Sequence, residues 1–177
     1  LRGALLDFHA DPFVEGIEQA RRYEADGIVA MQDGRIIASG AAADVLQRLP
    51  PDTPVTHHAN ALITAGFIDS HVHYPQLPVI GAGGKPLLEW LSTYTFPAEE
   101  RYSDADYARA VARRYLTENL RNGITTAAVF CTVHEASANV LFDEAFVRGL
   151  RLIAGKVLMD RNAPAALQDS AQSGYDD

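Results

Sequence analysis

The apolar positions fall into two regimes. Over residues 1 to about 65 they come in short strand-length runs separated by turn residues. Residues 3–8 make one such run, ended by the turn pair Asp11-Pro12. Residues 27–31 and 35–40 flank Gln32-Asp33-Gly34, and Asp-Gly supplies the positive φ of a tight hairpin turn. Residues 41–49 predict a short helix stopped by Pro50-Pro51, and 55–60 a further strand.

From about residue 62 the pattern changes to strand and helix in alternation. The apolar run 62–72 reads as one buried strand, followed by a glycine-containing loop and a short helical piece at 86–94. Residues 103–122 predict a strong helix, with Ser103 as its cap and Asp106 at the reciprocal position of a capping box. Tyr107, Val111 and Tyr115, with Ala108, Ala112, Leu116 and Leu120 beside them, form an apolar stripe at helical spacing, and Gly123 ends it. A strand at 125–131, a helix at 136–148 closed by Gly149, and a strand at 150–158 complete the series. Such alternation predicts α/β structure, a parallel sheet with right-handed crossovers. Three βα units would make three-eighths of a (β/α)8 barrel, so the expected division is a β part over 1–65 and a partial barrel over 66–177.

The chemistry concentrates in residues 66–75, where the strand runs into His71 and His73. Side chains alternate along a strand, so Phe67, Asp69, His71 and His73 share one face. Two imidazoles about 6.6 Å apart along the strand can lean toward one cation, and neutral imidazole is a common ligand for zinc and iron. A His-x-His pair also occurs in cores and on surfaces. Here it ends an apolar run at a strand-to-loop junction, the position active sites take in parallel barrels.

Bulk properties narrow the classes. The 177 residues are 47% hydrophobic and 21% charged, with a net charge of -8; the acidic balance argues against nucleic acid or an anionic membrane as partner. No run of eighteen apolar residues and no basic, then apolar, opening segment is present. Cys131 is the single cysteine, which excludes internal disulfides and cysteine-based zinc sites, including the His-x-Glu with Pro-Cys-x-x-Cys deaminase design. The expected compartment is the cytoplasm. The chain opens at Leu1 inside a strand-like run and closes on a polar stretch, so a truncated, amino-terminal portion of a longer protein is expected.

Residues 66–73 (Gly-Phe-Ile-Asp-Ser-His-Val-His) resemble the first barrel strand of the amidohydrolase superfamily, with Ala65 where a proline usually stands. The segment 87–99 (Leu-Leu-Glu-Trp-Leu-Ser-Thr-Tyr-Thr-Phe-Pro-Ala-Glu) resembles one branch of it, the guanine deaminases, as do His73-Tyr74-Pro75-Gln76, residues 122–127 and residues 155–160. The resemblance implies a (β/α)8 TIM-type barrel with a small β-sandwich built partly from the N-terminal region. It implies His71 and His73 as metal ligands, for zinc or alternatively ferrous iron, and His73, Tyr74, Pro75 and Gln76 as the loop contacting the purine. A side-chain amide offers a donor and an acceptor, which suits the amide-like edge of guanine. The implied activity is zinc-dependent hydrolysis of guanine to xanthine and ammonia, in which bound zinc lowers the pKa of its water to about 7. The implied protein is a homodimer of purine catabolism. Its remaining histidines, its proton-shuttling glutamate (the general acid/base) and its last-ligand aspartate are expected beyond Asp177, leaving this piece inactive by itself. Two other readings remain: a mononuclear amidohydrolase acting on a different heterocycle, and a non-catalytic interaction module.

Several residues carry a plain and a functional reading together. Trp90 and Leu91, with Leu87 and Leu88, either wall the purine pocket or form a packed helix stripe. Lys156 is either a metal-bridging lysine or a buried, paired one. His134 follows the second βα strand and is either a substrate contact or a structural histidine. His57 and His58 face opposite ways in the β region, and Cys131 is a buried strand residue. Gly81, Gly83 and Gly84 make a flexible loop without the Lys-Ser/Thr of a phosphate cradle. Glu99, Glu100 and Arg101 read as a solvated, ion-paired edge, and Asp69 as a carboxylate orienting the two histidines.

Overall fold

The computed structural model describes residues 1–176, and the chain divides into two compact units, one over Leu1–Ala65 and one from Gly66 onward. In the first, strand β1 (Arg2–Phe8) is followed by two single-turn helices, α1 (Pro12–Glu15) and α2 (Ile17–Ala20), where the sequence predicts only a turn. The Asp11 side chain accepts from the Phe13 amide to start α1, and Pro12 supplies its fixed φ at the first helical position. Strand β2 (Arg21–Gln32) is longer than its apolar run, because Arg21 to Phe8 and Arg22 to Asp7 already pair with β1. The β2–β3 hairpin turns on Asp33 and Gly34, both at positive φ, into β3 (Arg35–Ala41). Helix α3 (Ala42–Leu46) buries Ala42 and Val45 against Ile28 and Ala30.

The predicted strand 62–72 is two strands. β4 (His57–Thr64) runs parallel to β1 and completes a four-stranded sheet of order β3-β2-β1-β4, whereas β5 (Phe67–His73) belongs to the second unit. The break falls at Ala65-Gly66. A Cβ on Gly66 would lie 2.0 Å from Thr125 Oγ1, so only glycine lets the chain pass there.

The second unit is a three-stranded parallel sheet of order β5-β6-β7, with β6 (Ile124–Phe130) and β7 (Arg151–Gly155). Between β5 and β6 the chain forms a 3-10 segment (Tyr74–Val79), α4 (Leu87–Trp90), a wider π-type turn (Leu91–Thr95), α5 (Phe96–Glu100), a 3-10 turn at Arg101–Ser103 and α6 (Ala105–Arg121). α7 (Glu135–Arg148) joins β6 to β7, and a 3-10 turn at Ala165–Leu167 precedes a final helical turn, α8 (Ser173–Asp176). The α6 stripe is as the spacing predicts, with Ala108, Ala112, Tyr115 and Leu116 buried, although Leu120 is exposed. They pack on Ala127 and Val129 of β6 and on Val140 and Leu141 of α7.

The start of α6 differs from the capping box. Asp104 is the cap, and its Oδ1 accepts from the amides of Asp106 and Tyr107, while the Ser103 hydroxyl donates to Glu100 O. A carboxylate one residue later wins because it accepts two amides and faces the positive end of the helix. α7 ends as predicted, with Gly149 at φ +68. Both outer strands keep exposed apolar residues: Ile68 on β5 is 71% exposed and Ile153 on β7 76%. No helix among the described residues is long and apolar enough to cross a membrane.

Candidate active site

β5 delivers His71 and His73 to its carboxyl end on one face, as the alternation predicts. Their ring centroids are 5.3 Å apart with the planes at 66°. Register pairs His73 with Phe130 on β6, and that ring stacks on His73 at 4.8 Å and lies 5.1 Å from His71. Phe130 was not singled out from sequence; it lies on the face of β6 away from buried Ala127 and Val129, opposite His73 in register. Partial burial, and next the field of His71, hold the His73 pKa below the ordinary imidazole range. A lowered pKa favours the neutral ring, the form that offers a lone pair to a cation. Among the described residues no group of three or more His, Cys, Asp or Glu converges, so the two imidazoles would supply only part of a metal's ligands. They fit a metal in donor type and in sharing a face.

Asp69 differs from its expected contact. Its Oδ1 accepts from the His71 backbone amide at 3.2 Å, fixing the strand where the β5–β6 register shifts rather than touching a ring.

The segment after β5 is anchored by two tyrosines. The Tyr74 ring is fully buried, and its hydroxyl donates to Ser137 O at 2.7 Å; the Tyr102 hydroxyl donates to Pro75 O at 3.2 Å. Burial pushes both phenol pKa values up, so both stay neutral donors. Tyr74, Tyr102 and Tyr115 pack ring against ring beneath the segment. Pro75 is buried as well, which leaves Gln76 as the polar side chain that the segment carries toward the open side.

That open side is a cleft of about 500 Å³. His71, His73, Gln76 and Trp90 line it together with Asn119 of α6 and Asn122 just after that helix, and β5 is the edge strand of its sheet. Trp90 faces the cleft and donates its indole N–H to Ala82 O at 2.8 Å, which ties α4 to the glycine loop. Leu87 and Leu88 are exposed, at 69% and 79%, so neither a packed stripe nor an apolar wall includes them; Leu91 is half-buried beside Trp90 and outside the cleft lining.

Glu99 corrects the sequence reading most directly. It is 6% exposed rather than a solvated edge, and its Oε1 accepts from Gln76 Nε2 at 3.4 Å. Burial raises its pKa, and the bond from Gln76 opposes that. The helical turns at 91–100 rotate Glu99 inward beside buried Thr95 and Ala98, a rotation that a π-type turn produces and a 3.6-residue period misses. Arg101 does lie outside, over the Tyr107 ring at 3.9 Å.

His134 precedes α7, and its Nε2 is buried without a hydrogen bond. Burial lowers its pKa, against the field of Asp169. Lys156 forms an ion pair with Asp169 at 3.3 Å, in keeping with the buried, paired reading. Cys131 is buried, as expected, and its thiol pKa is pushed up to about 12.

Comparison with known proteins bears on this arrangement. The pattern of the amidohydrolase family matches residues 62–177. The guanine deaminase of Escherichia coli K12 is 44% identical over 161 residues, which are 91% of this chain and 37% of that protein. The solved E. coli guanine deaminase structure superposes with a TM-score of 0.90 at 42% identity, covering 99% of this chain and 41% of that one. Guanine deaminase from C. acetobutylicum, solved with guanine in its active site, superposes at 0.80 with 28% identity, covering 99% and 40%. The chain thus spans about two-fifths of the length of these relatives. With the sequence pattern running from the end of β4 through the whole second unit, and the superposition extending over nearly every residue, the chain belongs to the amidohydrolase family.

Proposed function

We propose that this chain supplies the first metal ligands and the purine-contacting loop of a guanine deaminase, which hydrolyses guanine to xanthine and ammonia. The observation that carries the reading is one cleft lined by both a same-face imidazole pair and a side-chain amide. Identity of 44% to the E. coli enzyme, and likeness to a relative solved with guanine bound, support the choice of substrate.

In this reading His71 and His73 hold the cation through neutral rings, and Phe130 keeps His73 from rotating away. A divalent metal there, zinc or ferrous iron, would supply a water acidified to near neutral pH. Gln76 bonds the amide-like edge of the base, Trp90 with Leu91 behind it walls the ring, and the tyrosine-anchored Tyr74-Pro75 backbone sets the position of both. Holding the base rigidly against the hydrolytic centre is where such a loop contributes rate. The proton-shuttling glutamate and the remaining ligands lie in further barrel strands. Exposed Ile68 and Ile153 on the two outer strands, and the open edge of β5, support a (β/α)8 barrel completed on both sides of this sheet. By the same likeness, residues 1–65 contribute part of a small β-sandwich, and the enzyme is a cytoplasmic homodimer.

The test is turnover by the whole protein. Guanine should give xanthine and ammonia one to one, with adenosine at least a hundredfold slower, since a site built on one donor-acceptor pattern rejects another strongly (about 10² or more). Equal turnover of both, or none of guanine in metal-replete protein, would overturn the assignment.

A further inference from the structure

Glu99 is a buried carboxylate outside the cleft wall, yet it is bonded to the one loop side chain assigned to the base. A buried carboxylate is costly without partners, and its side-chain hydrogen bond among the described residues comes from Gln76. Here Glu99 Oε1 accepts from Gln76 Nε2, a contact the amide oxygen could not replace because two acceptors do not bond, so it fixes which end of the amide turns toward Glu99. With Nε2 turned to Glu99, the Gln76 carbonyl oxygen and its second N–H are left in a fixed order across the amide plane. That order matters because a lactam edge presents a ring N–H beside a carbonyl, whereas an amidine edge presents a ring nitrogen acceptor beside an amino group. The two edges need opposite ends of the amide.

We propose that Glu99 is a positioning residue that locks the orientation of the Gln76 amide, and thereby sets the preference of this site for a lactam-edged purine over an amidine-edged one. The inference rests on the reading of the cleft as a guanine site. Gln76 sits on the 3-10 segment after β5 and Glu99 on α5, so the lock also joins two separately folded pieces of the site rim. Glu99 does not touch the base; its effect passes through the amide. The buried rims of Tyr74 and Tyr102 keep the Gln76 backbone in place, so rotation of the amide is the freedom left for Glu99 to remove.

Glu99→Gln in the whole protein is the direct test. It preserves volume and lets either amide orientation form. The selectivity of kcat/KM for guanine over diaminopurine, which carries an amino group in place of the ring carbonyl, should fall by about tenfold or more. KM for guanine should rise more than kcat falls, and equilibrium binding of the two purines to metal-depleted protein should shift in the same sense. Glu99→Met, of similar volume and without an acceptor, should give the same loss, and covers the case in which Glu99→Gln fails to fold. In a Gln76→Ala background neither change should move the ratio further. An unmoved ratio in the folded variants, an equal fall for both purines, or an effect that persists without Gln76 would overturn the proposal. Wild-type protein that deaminates no guanine would instead remove the underlying substrate reading, a distinct result.

Discussion

Tyr74 shows how much of the cleft rests on a side chain held inside the core. Its hydroxyl is the donor to a buried carbonyl 63 residues away, and its ring packs against Tyr102 and Tyr115. Tyr74→Phe leaves Ser137 O without that donor and should cost about 1–3 kcal/mol in denaturant unfolding, with a smaller change in metal content than in guanine KM. Glu144 carries the opposite kind of charge economy to Glu99. Hydrogen bonds from Arg148, then Arg109 and Arg113, hold its pKa to about 2 against the usual 4.5. The unfolded chain therefore takes up this proton first as the pH falls. The stability from Glu144 is fully present above about pH 4.5 and is lost toward pH 2, and Glu144→Gln should flatten that part of the unfolding-against-pH curve. Glu99 has the reverse sign: its raised pKa makes the neutral form the stabilising one, so its contribution fades as the pH rises. What strand alternation made legible was the placement of His71 and His73 together on one face at the end of β5. Placement was not legible for Glu99, whose burial depends on a local change of helical pitch.

At the scale of elements, two positions decide how the second unit begins and how its main helix starts. Gly66→Ala would place a methyl 2.0 Å from Thr125 Oγ1 and 2.5 Å from its Cγ2. Forcing β5 and β6 apart should cost about 1–3 kcal/mol, measured by thermal or denaturant unfolding. At the start of α6, Asp104→Ala should cost about 1 kcal/mol and Ser103→Ala close to none, because only the Asp104 carboxylate reaches the first-turn amides. Equal costs at both positions would restore the capping box. Periodicity located α6, α7 and the three parallel strands, since each buries one stripe or one face in a shared core. It merged β4 with β5 because nothing in an apolar run records that the chain leaves one sheet and enters another. Only the missing Cβ at Gly66 marks the change.

At the scale of the molecule, the α/β class could be read from strand–helix alternation, and the hairpin region from Asp33-Gly34. The short helices α1 and α2 could not, because four-residue helices bury too little to leave a period. Among the described residues, the three parallel strands bring one imidazole pair to the cleft and no third His, Cys, Asp or Glu beside it; if the proposed barrel holds, further donors would come from strands elsewhere around it. The exposed isoleucines of β5 and β7 mark the surfaces such strands would cover. The most direct measurement is metal content by mass spectrometry on the whole protein, purified as wild type, His71→Ala and His73→Ala, with ammonia release from guanine followed in parallel. One bound zinc or iron per chain in the wild type, with metal and turnover lost together in both variants, is the expected result. Metal retained at the wild-type level in both variants, or guanine turnover that survives them, would contradict a cation held by this imidazole pair.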